Sequence, residues 1–179
     1  MALNLITGGM FSGKTTKLMR RLRRAQVEGK KVLVINFAGD NRYTDEKGGI
    51  ASHAGEVMMS EKWGTLTDKD VRGYDVIGID ELHCFPDFLV TEHWASLGIR
   101  VEAALINGNF ERKPIDAFTH LAARASHICF LNAVCAICRG SASFSKRIIN
   151  SVDPNLPENQ RYIGGVESYS PRCYKCFYL

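Results

Sequence analysis

At 179 residues, 45% of them hydrophobic, the chain suits one globular domain with a small appendage and has enough apolar material for a core. It contains no run of 18 apolar residues, which argues against a spanning helix, and its start, Met1-Ala2-Leu3-Asn4-Leu5, lacks the charged and long apolar regions of a secretory signal. The net charge of +4 is modest, and a cytoplasmic setting is expected.

The first apolar run, residues 3–6, reads as a strand, and residues 17–26 read as a helix. Between them residues 8–15, GGMFSGKT, spell G-x-x-x-x-G-K-T. In this pattern glycines let successive backbone N–H groups turn inward around phosphate. The lysine, here Lys14, faces the β- and γ-phosphates, and the following hydroxyl, Thr15, is suited to Mg²⁺. Gly8, Gly9, Met10, Phe11, Ser12, Gly13, Lys14, Thr15 and Thr16 are therefore the candidate cradle for a nucleoside triphosphate. Basic residues concentrate on and after the helix, at Lys17, Arg20, Arg21, Arg23, Arg24, Lys30 and Lys31. No aromatic residues are interleaved with them, so a solvated face is the better reading than a nucleic-acid platform.

Farther along, residues 31–37, 75–80, 100–107 and 126–131 are short apolar runs suited to buried parallel strands. Residues 87–97 and 115–125 read as helices, the first opening near Pro86. Alternating β and α units predict an α/β fold with a parallel sheet covered on both faces. Residues 40–55, rich in Gly, Asp and Asn, read as an irregular excursion beside the active site. Asp80-Glu81 closes the run Val76-Ile77-Gly78-Ile79, at the sheet edge where such folds gather their active sites. Asp80 suits Mg²⁺, with helix capping as the plainer alternative, and Glu81 suits proton acceptance from a nucleophile.

After about residue 133 the pattern changes. Cys135-Ala136-Ile137-Cys138 and Cys173-Tyr174-Lys175-Cys176 are two C-x-x-C pairs separated by 34 residues. Together they predict a tetrahedral Cys₄ zinc site of the closed, structural kind, tying the base of a long loop. Disulfides or a redox dithiol are the alternatives, and the expected cytoplasmic setting disfavours disulfides. Cys84 and Cys129 are left over, Cys129 as a core residue. Within the tethered loop, Gly164-Gly165 permits close backbone approach to a ligand; a mobile turn is the alternative, and the anchoring of both loop ends favours the former.

These motifs, taken in order, resemble the type II thymidine kinases. The likeness rests on GGMFSGKT, on Gly39-Asp40-Asn41-Arg42-Tyr43, and on Val76-Ile77-Gly78-Ile79-Asp80-Glu81. It continues through Gly108-Asn109-Phe110-Glu111-Arg112-Lys113-Pro114, the 133–138 and 143–147 segments, Ile163-Gly164-Gly165 with Tyr169, and the last cysteine pair. The resemblance implies a RecA-like P-loop core over residues 1–133 and a zinc-binding lasso over residues 134–179. It implies transfer of the ATP γ-phosphoryl group to the 5′-hydroxyl of thymidine, with Glu81 as base and Lys14 and Arg42 steadying the phosphoryl group. Thr15 and Asp80 would hold Mg²⁺, and Asp40 belongs to the nucleotide side. Main-chain groups of Tyr162, Ile163, Gly164 and Gly165 would read the base, in a pocket lined by Met10, Ile106, Phe110, Ser145 and Tyr169. A homotetramer and feedback inhibition by thymidine triphosphate are further implications.

The chain departs from that family's usual pattern at Leu82-His83-Cys84, where Cys84 replaces a ring beside the base, and at Asn107, Asn109 and Ile115. Gly9 stands where a P-loop proline is usual. A roomier nucleoside pocket is the expectation. The competing classes are a nucleoside-independent ATPase and a zinc-ribbon module that contacts nucleic acid.

Overall fold

The computed structural model describes residues 2–40, 49–51, 55–149 and 164–179. Its centre is a six-stranded sheet built from β1 (Ala2–Gly8), β2 (Val32–Phe37), β5 (Glu61–Trp63), β6 (Val76–Ile79), β7 (Arg100–Leu105) and β8 (His127–Leu131). Their order across the sheet is β5-β2-β6-β7-β1-β8, and every pairing is parallel. Between β2 and β5 the short strands β3 (Ile50–Ala51) and β4 (Val57–Met58) form an antiparallel pair.

Strand alternation sends successive side chains to opposite faces, and two apolar layers result. On one face Ile6, Val34, Val76 and Ala104 pack against Leu18, Met19, Leu22 and Ala25 of helix α1 (Lys14–Val27). The other face, with Leu5, Ile35, Ile77, Ile79 and Val101, packs around Leu82, Phe85, Trp94 and Leu121. These belong to a 3₁₀ turn (Leu82–Cys84) and its following residue, to α2 (Val90–Ser96) and to α3 (Asp116–Ala122). The sheet is covered on both faces, as the alternation of apolar runs predicts.

Gly78 sets how closely α1 approaches. A Cβ there would stand 2.3 Å from Leu22 Cδ1, so only glycine leaves room for the buried leucine. Beside Gly78 in register, Glu102 is buried on this same face. It accepts hydrogen bonds from Arg21 (2.7 Å) and Asn4 (2.9 Å), which compensate its loss of water. One member of the basic stretch is therefore an internal partner. Arg20, Arg23 and Arg24 remain exposed, and Arg23 and Arg24 pair with Glu56 and Glu28.

Beyond β8 the chain forms two small antiparallel ladders. In one, β9 (Ala133–Val134) pairs β10 (Ser141–Ala142); in the other, β11 (Phe144–Arg147) pairs β12 (Tyr169–Arg172). A short helix, α4 (Tyr174–Phe177), follows.

Three expectations need correcting. The 40–55 excursion is not wholly irregular, since Ile50–Ala51 is a strand, and the chain then supplies the sheet's sixth strand at Glu61–Trp63. The helices α2 and α3 are shorter than the predicted 87–97 and 115–125, while α1 begins three residues earlier than predicted, at Lys14. Cys129 is only half-buried, because β8 is an outer strand whose neighbour Phe130 is 61% exposed.

Candidate active site

Parallel strands bring all their carboxyl ends to one edge, and the candidate residues gather there. The P-loop leaves β1, Asp40 follows β2, Asp80-Glu81 follow β6, and Ile106 follows β7. A cleft at this edge is lined by Met10, Phe11, Lys14, Thr15, Asp40, Asp80, Glu81 and Ile106, together with Gly13 and Thr16.

The P-loop conformation follows from its glycines. Gly8 has φ +147°, and a Cβ there would lie 2.1 Å from the Leu131 carbonyl oxygen of the neighbouring strand. Gly13, at φ +82°, turns the chain into α1. That helix has no acidic residue in its own first turn, so none of its own side chains offsets the partial positive charge that its N-terminus presents to the cleft. Lys14 is buried and its Nζ donates to the Gly9 carbonyl at 2.8 Å; Ser12 Oγ donates to the same oxygen, also at 2.8 Å. The loop is thereby pre-shaped, with its cation folded over it.

Thr15 Oγ1 donates to Asp80 at 2.9 Å (Oδ2), with Oδ1 at 3.3 Å. The strands that present them, β1 and β6, are separated by β7, so the contact bridges an intervening strand at the sheet edge. Adjacent oxygen ligands of an octahedral Mg²⁺ lie about 3 Å apart, which suits this hydroxyl–carboxylate pair. Glu81 has φ +53°, a left-handed conformation uncommon for a residue with a Cβ. Its Oε2 lies 3.4 Å from Nδ1 of the buried His83.

Strand β11 reaches the P-loop directly, through a hydrogen bond from Met10 N to Ser145 Oγ at 2.8 Å. Ser145 and Arg147 share one side of β11, and Arg147 pairs opposite Tyr169 in β12. The Arg147 guanidinium lies 5.0 Å from the Phe110 ring centroid and 5.9 Å from that of Tyr169; the two rings are 6.5 Å apart. Gly164 backs onto this group, since a Cβ there would come within 2.9 Å of the Tyr169 ring. Gly165 N donates to Glu167 at 2.6 Å, and its carbonyl accepts from Ser168 N and Tyr169 N. The predicted base-pocket residues Phe110 and Tyr169 lie together with Gly164, a predicted main-chain reader of the base, and Ser145 joins Met10. Arg42, Tyr162 and Ile163 lie outside the described residues.

The four predicted zinc ligands also converge. The sulfurs of Cys135, Cys138, Cys173 and Cys176 lie within 4.8 Å of one another, and those of Cys138 and Cys173 are 3.6 Å apart. Zn–S bonds of about 2.3 Å place sulfurs about 3.8 Å apart along a tetrahedral edge, so the set fits zinc. The first pair sits on a tight turn in which Arg139 N donates to the Cys135 carbonyl and Arg139 takes φ +64°. Backbone donation from Cys138, outweighing burial, holds the Cys135 thiol down to about 6. Burial, helped by the neighbouring sulfurs, pushes Cys176 up to about 12.

Sequence reasoning missed several cleft residues: Asn36, Gly49, Lys62 and His83. Their signal is positional, since Asn36 and Lys62 are register partners in β2 and β5, and β5 itself was not foreseen. Cys84, where a ring was expected beside the base, is instead buried in the apolar layer with Phe37, Leu82 and Phe85.

A parallel sheet with a P-loop and a strand-end carboxylate against its threonine defines a P-loop nucleotide-binding fold, here with an adjoining module whose four cysteines could hold a metal. Residues 1–177 match the family model described as thymidine kinase. The chain is 38% identical over 180 aligned positions to thymidine kinase 1 of Dictyostelium discoideum, covering 98% of this chain and 77% of that protein. It is 35% identical to the thymidine kinase of Myxoma virus (strain Uriarra), covering 99% and 96% of the two chains. It is 37% identical to that of Yaba monkey tumor virus (strain VR587), covering 98% and 94%. The chain belongs to the thymidine kinase family, a family of ATP-dependent nucleoside kinases. Among the described residues no helix is long and apolar enough to cross a membrane.

Proposed function

We propose that the protein transfers the γ-phosphoryl group of ATP to the 5′-hydroxyl of thymidine, or of deoxyuridine, giving the 5′-monophosphate for DNA precursor salvage. The observation that carries the assignment of roles is the meeting of Thr15 and Asp80 beside Glu81 at the mouth of the P-loop, with the lasso's Ser145 bound to Met10 N.

In this reading the 8–16 loop and the α1 N-terminus hold the triphosphate. Thr15 and Asp80 hold Mg²⁺, which neutralises phosphate charge when bound. Glu81 takes the 5′-hydroxyl proton as the new O5′–P bond forms and the bond to the β-phosphate oxygen breaks, releasing ADP. Lys14 and Arg42 stabilise the charge on the transferring group. Asp40, buried at the end of β2, positions the nucleotide side. Main-chain groups of residues 162–165 read the base, and Met10, Ile106, Phe110, Ser145 and Tyr169 wall it. Zinc on the four cysteines fixes the two ends of that lasso. Residues 1–133 form the catalytic core and residues 134–179 the lasso domain. A cytoplasmic homotetramer inhibited by thymidine triphosphate completes the proposal.

The test is an ADP-release assay with a nucleoside panel. ADP formation should require thymidine, and Glu81→Gln should lower kcat by at least about a hundredfold while ATP affinity stays within about threefold. ATP consumption that continues without a nucleoside would instead identify an ATPase.

A further inference from the structure

The segment between β7 and α3 is a tight loop organised by Asn109. Asn109 Oδ1 accepts from Glu111 N and Lys113 N, both at 2.9 Å, and Asn109 N donates to the Lys113 carbonyl. Gly108 and Pro114 form an isolated bridge across it. Phe110 and Arg112 leave this one turn in different directions. Phe110 joins Arg147 and Tyr169 on the nucleoside side. Arg112, at φ +63°, points to the C-terminal end of the chain.

There the Arg112 guanidinium stands 4.8–5.5 Å from the ring centroids of Phe144, Tyr174, Phe177 and Tyr178. It also donates a hydrogen bond to the Tyr178 hydroxyl. The four rings touch edge-to-face in a closed circuit: Phe144 with Tyr174, Tyr174 with Tyr178, Tyr178 with Phe177, and Phe177 with Phe144, at 5.7–6.0 Å. Tyr174 lies inside the second C-x-x-C pair, and Phe177 follows Cys176 directly. Tyr174 and Phe177 are therefore placed by the fold of the second cysteine pair, with Phe144 supplied by β11 and Tyr178 by the residue after α4.

We propose that Arg112 is a positioning residue that pins the Phe110 loop to the second cysteine knuckle, so that this knuckle sets nucleoside affinity. The proposal rests on the reading above that Phe110 walls the nucleoside. A guanidinium is suited to the task because its plane attracts several ring faces at once while its N–H groups reach a hydroxyl; an ammonium does only part of this. The ring and hydroxyl contacts of Arg112 are all to Phe144 and residues 174–178, while the P-loop meets the cysteine cluster separately through Phe11, so loss of Arg112 falls on the acceptor nucleoside.

Steady-state kinetics and calorimetric thymidine binding on the full chain test it. Arg112→Gln should raise the thymidine KM and Kd roughly tenfold, with kcat and the ATP KM within about twofold. Arg112→Lys should restore part of the loss. Tyr178→Phe, which keeps the ring and removes the acceptor, should raise the thymidine Kd about threefold and be non-additive with Arg112→Gln. Unchanged thymidine binding in Arg112→Gln, or equal losses in thymidine binding, ATP binding and kcat, would overturn the coupling. Additivity of the two substitutions would also overturn it. Phe110→Ala separates this from the underlying reading. If it leaves thymidine binding intact, the pocket assignment fails, and the coupling with it. If it weakens binding while Arg112→Gln does not, the coupling alone fails.

Discussion

Glu81 is held with its backbone at φ +53°, two residues past the end of β6. Left-handed geometry at a residue with a Cβ costs roughly 1 kcal/mol or more, and such strain persists where the surroundings enforce it. Here the enforcing contacts are the Asp80 carboxylate, which accepts from Glu81 N at 3.2 Å, and the turn that buries Leu82, His83 and Cys84. A few residues on, Asp87 ties the same segment to the chain that follows β5. A single oxygen, Oδ2, accepts from Leu66 N (2.7 Å), Thr67 N (2.6 Å) and Thr67 Oγ1 (2.6 Å). Burial alone would raise this carboxyl, but the Thr67 hydroxyl and the two amides outweigh it, and the net shift is downward. A carboxyl lowered by folding stabilises the protein above the unfolded value of about 3.9, and the contribution fades as pH falls through the folded value. Asp87→Asn should therefore cost about 1–2 kcal/mol at pH 7 and progressively less below about pH 4. Urea unfolding of both proteins at pH 7 and pH 3 measures this, and an equal gap at both values would refute it.

At the level of elements, small residues under α1 decide where the phosphate cradle sits. Gly78 and Ala104 form the floor on which Leu22 rests, so the helix lies close to the sheet and its N-terminus meets the ends of β1 and β6. Gly78→Ala should destabilise by about 1–3 kcal/mol through overpacking against a fully buried leucine. Thermal denaturation gives the stability, and a rise in the ATP KM would follow from α1 riding outward. Gly78→Ala paired with Leu22→Ala should recover part of the ATP affinity, because the collision is removed. Elements of this kind were legible because their information is local. The runs VLVINF, VIGI and RVEAAL are buried on both faces and read as strands without knowledge of their neighbours, and GGMFSGKT bends the chain by its own glycines. Glu61–Trp63 gave no such signal: three residues, two of them charged and exposed, are a strand only because the edge of β2 is there to pair with. The same holds at the site. Asp80-Glu81 announced itself as acid after an apolar strand, whereas the bond from Met10 N to Ser145 and the rings around Arg112 join residues far apart in sequence, which spacing cannot show.

Over the whole molecule, two kinds of construction meet at the sheet edge. In the proposed reading the donor side is made by the parallel sheet itself, whose apolar layers on both faces hold the P-loop, Asp40 and Asp80. The proposed acceptor side lies outside that sheet on two short ladders whose small buried cluster, Ala133, Cys135, Ala142 and Cys176, is entirely cysteine and alanine. Burial of so few atoms supplies little hydrophobic stabilisation, so a metal on the four sulfurs would be the main source of order there. Removing zinc should then separate the two halves. On treatment with a strong chelator, or in Cys173→Ser, amide exchange should rise across residues 133–147 and 169–177 while β1, β6 and β7 stay protected. Thymidine affinity should fall more than about tenfold, and that of a non-hydrolysable ATP analogue by less than about threefold. Metal analysis of the untreated protein should find one zinc per chain. The link from Met10 N to Ser145 makes the opposite result informative, since loss of ATP binding along with thymidine binding would mean that the lasso also holds the P-loop in shape.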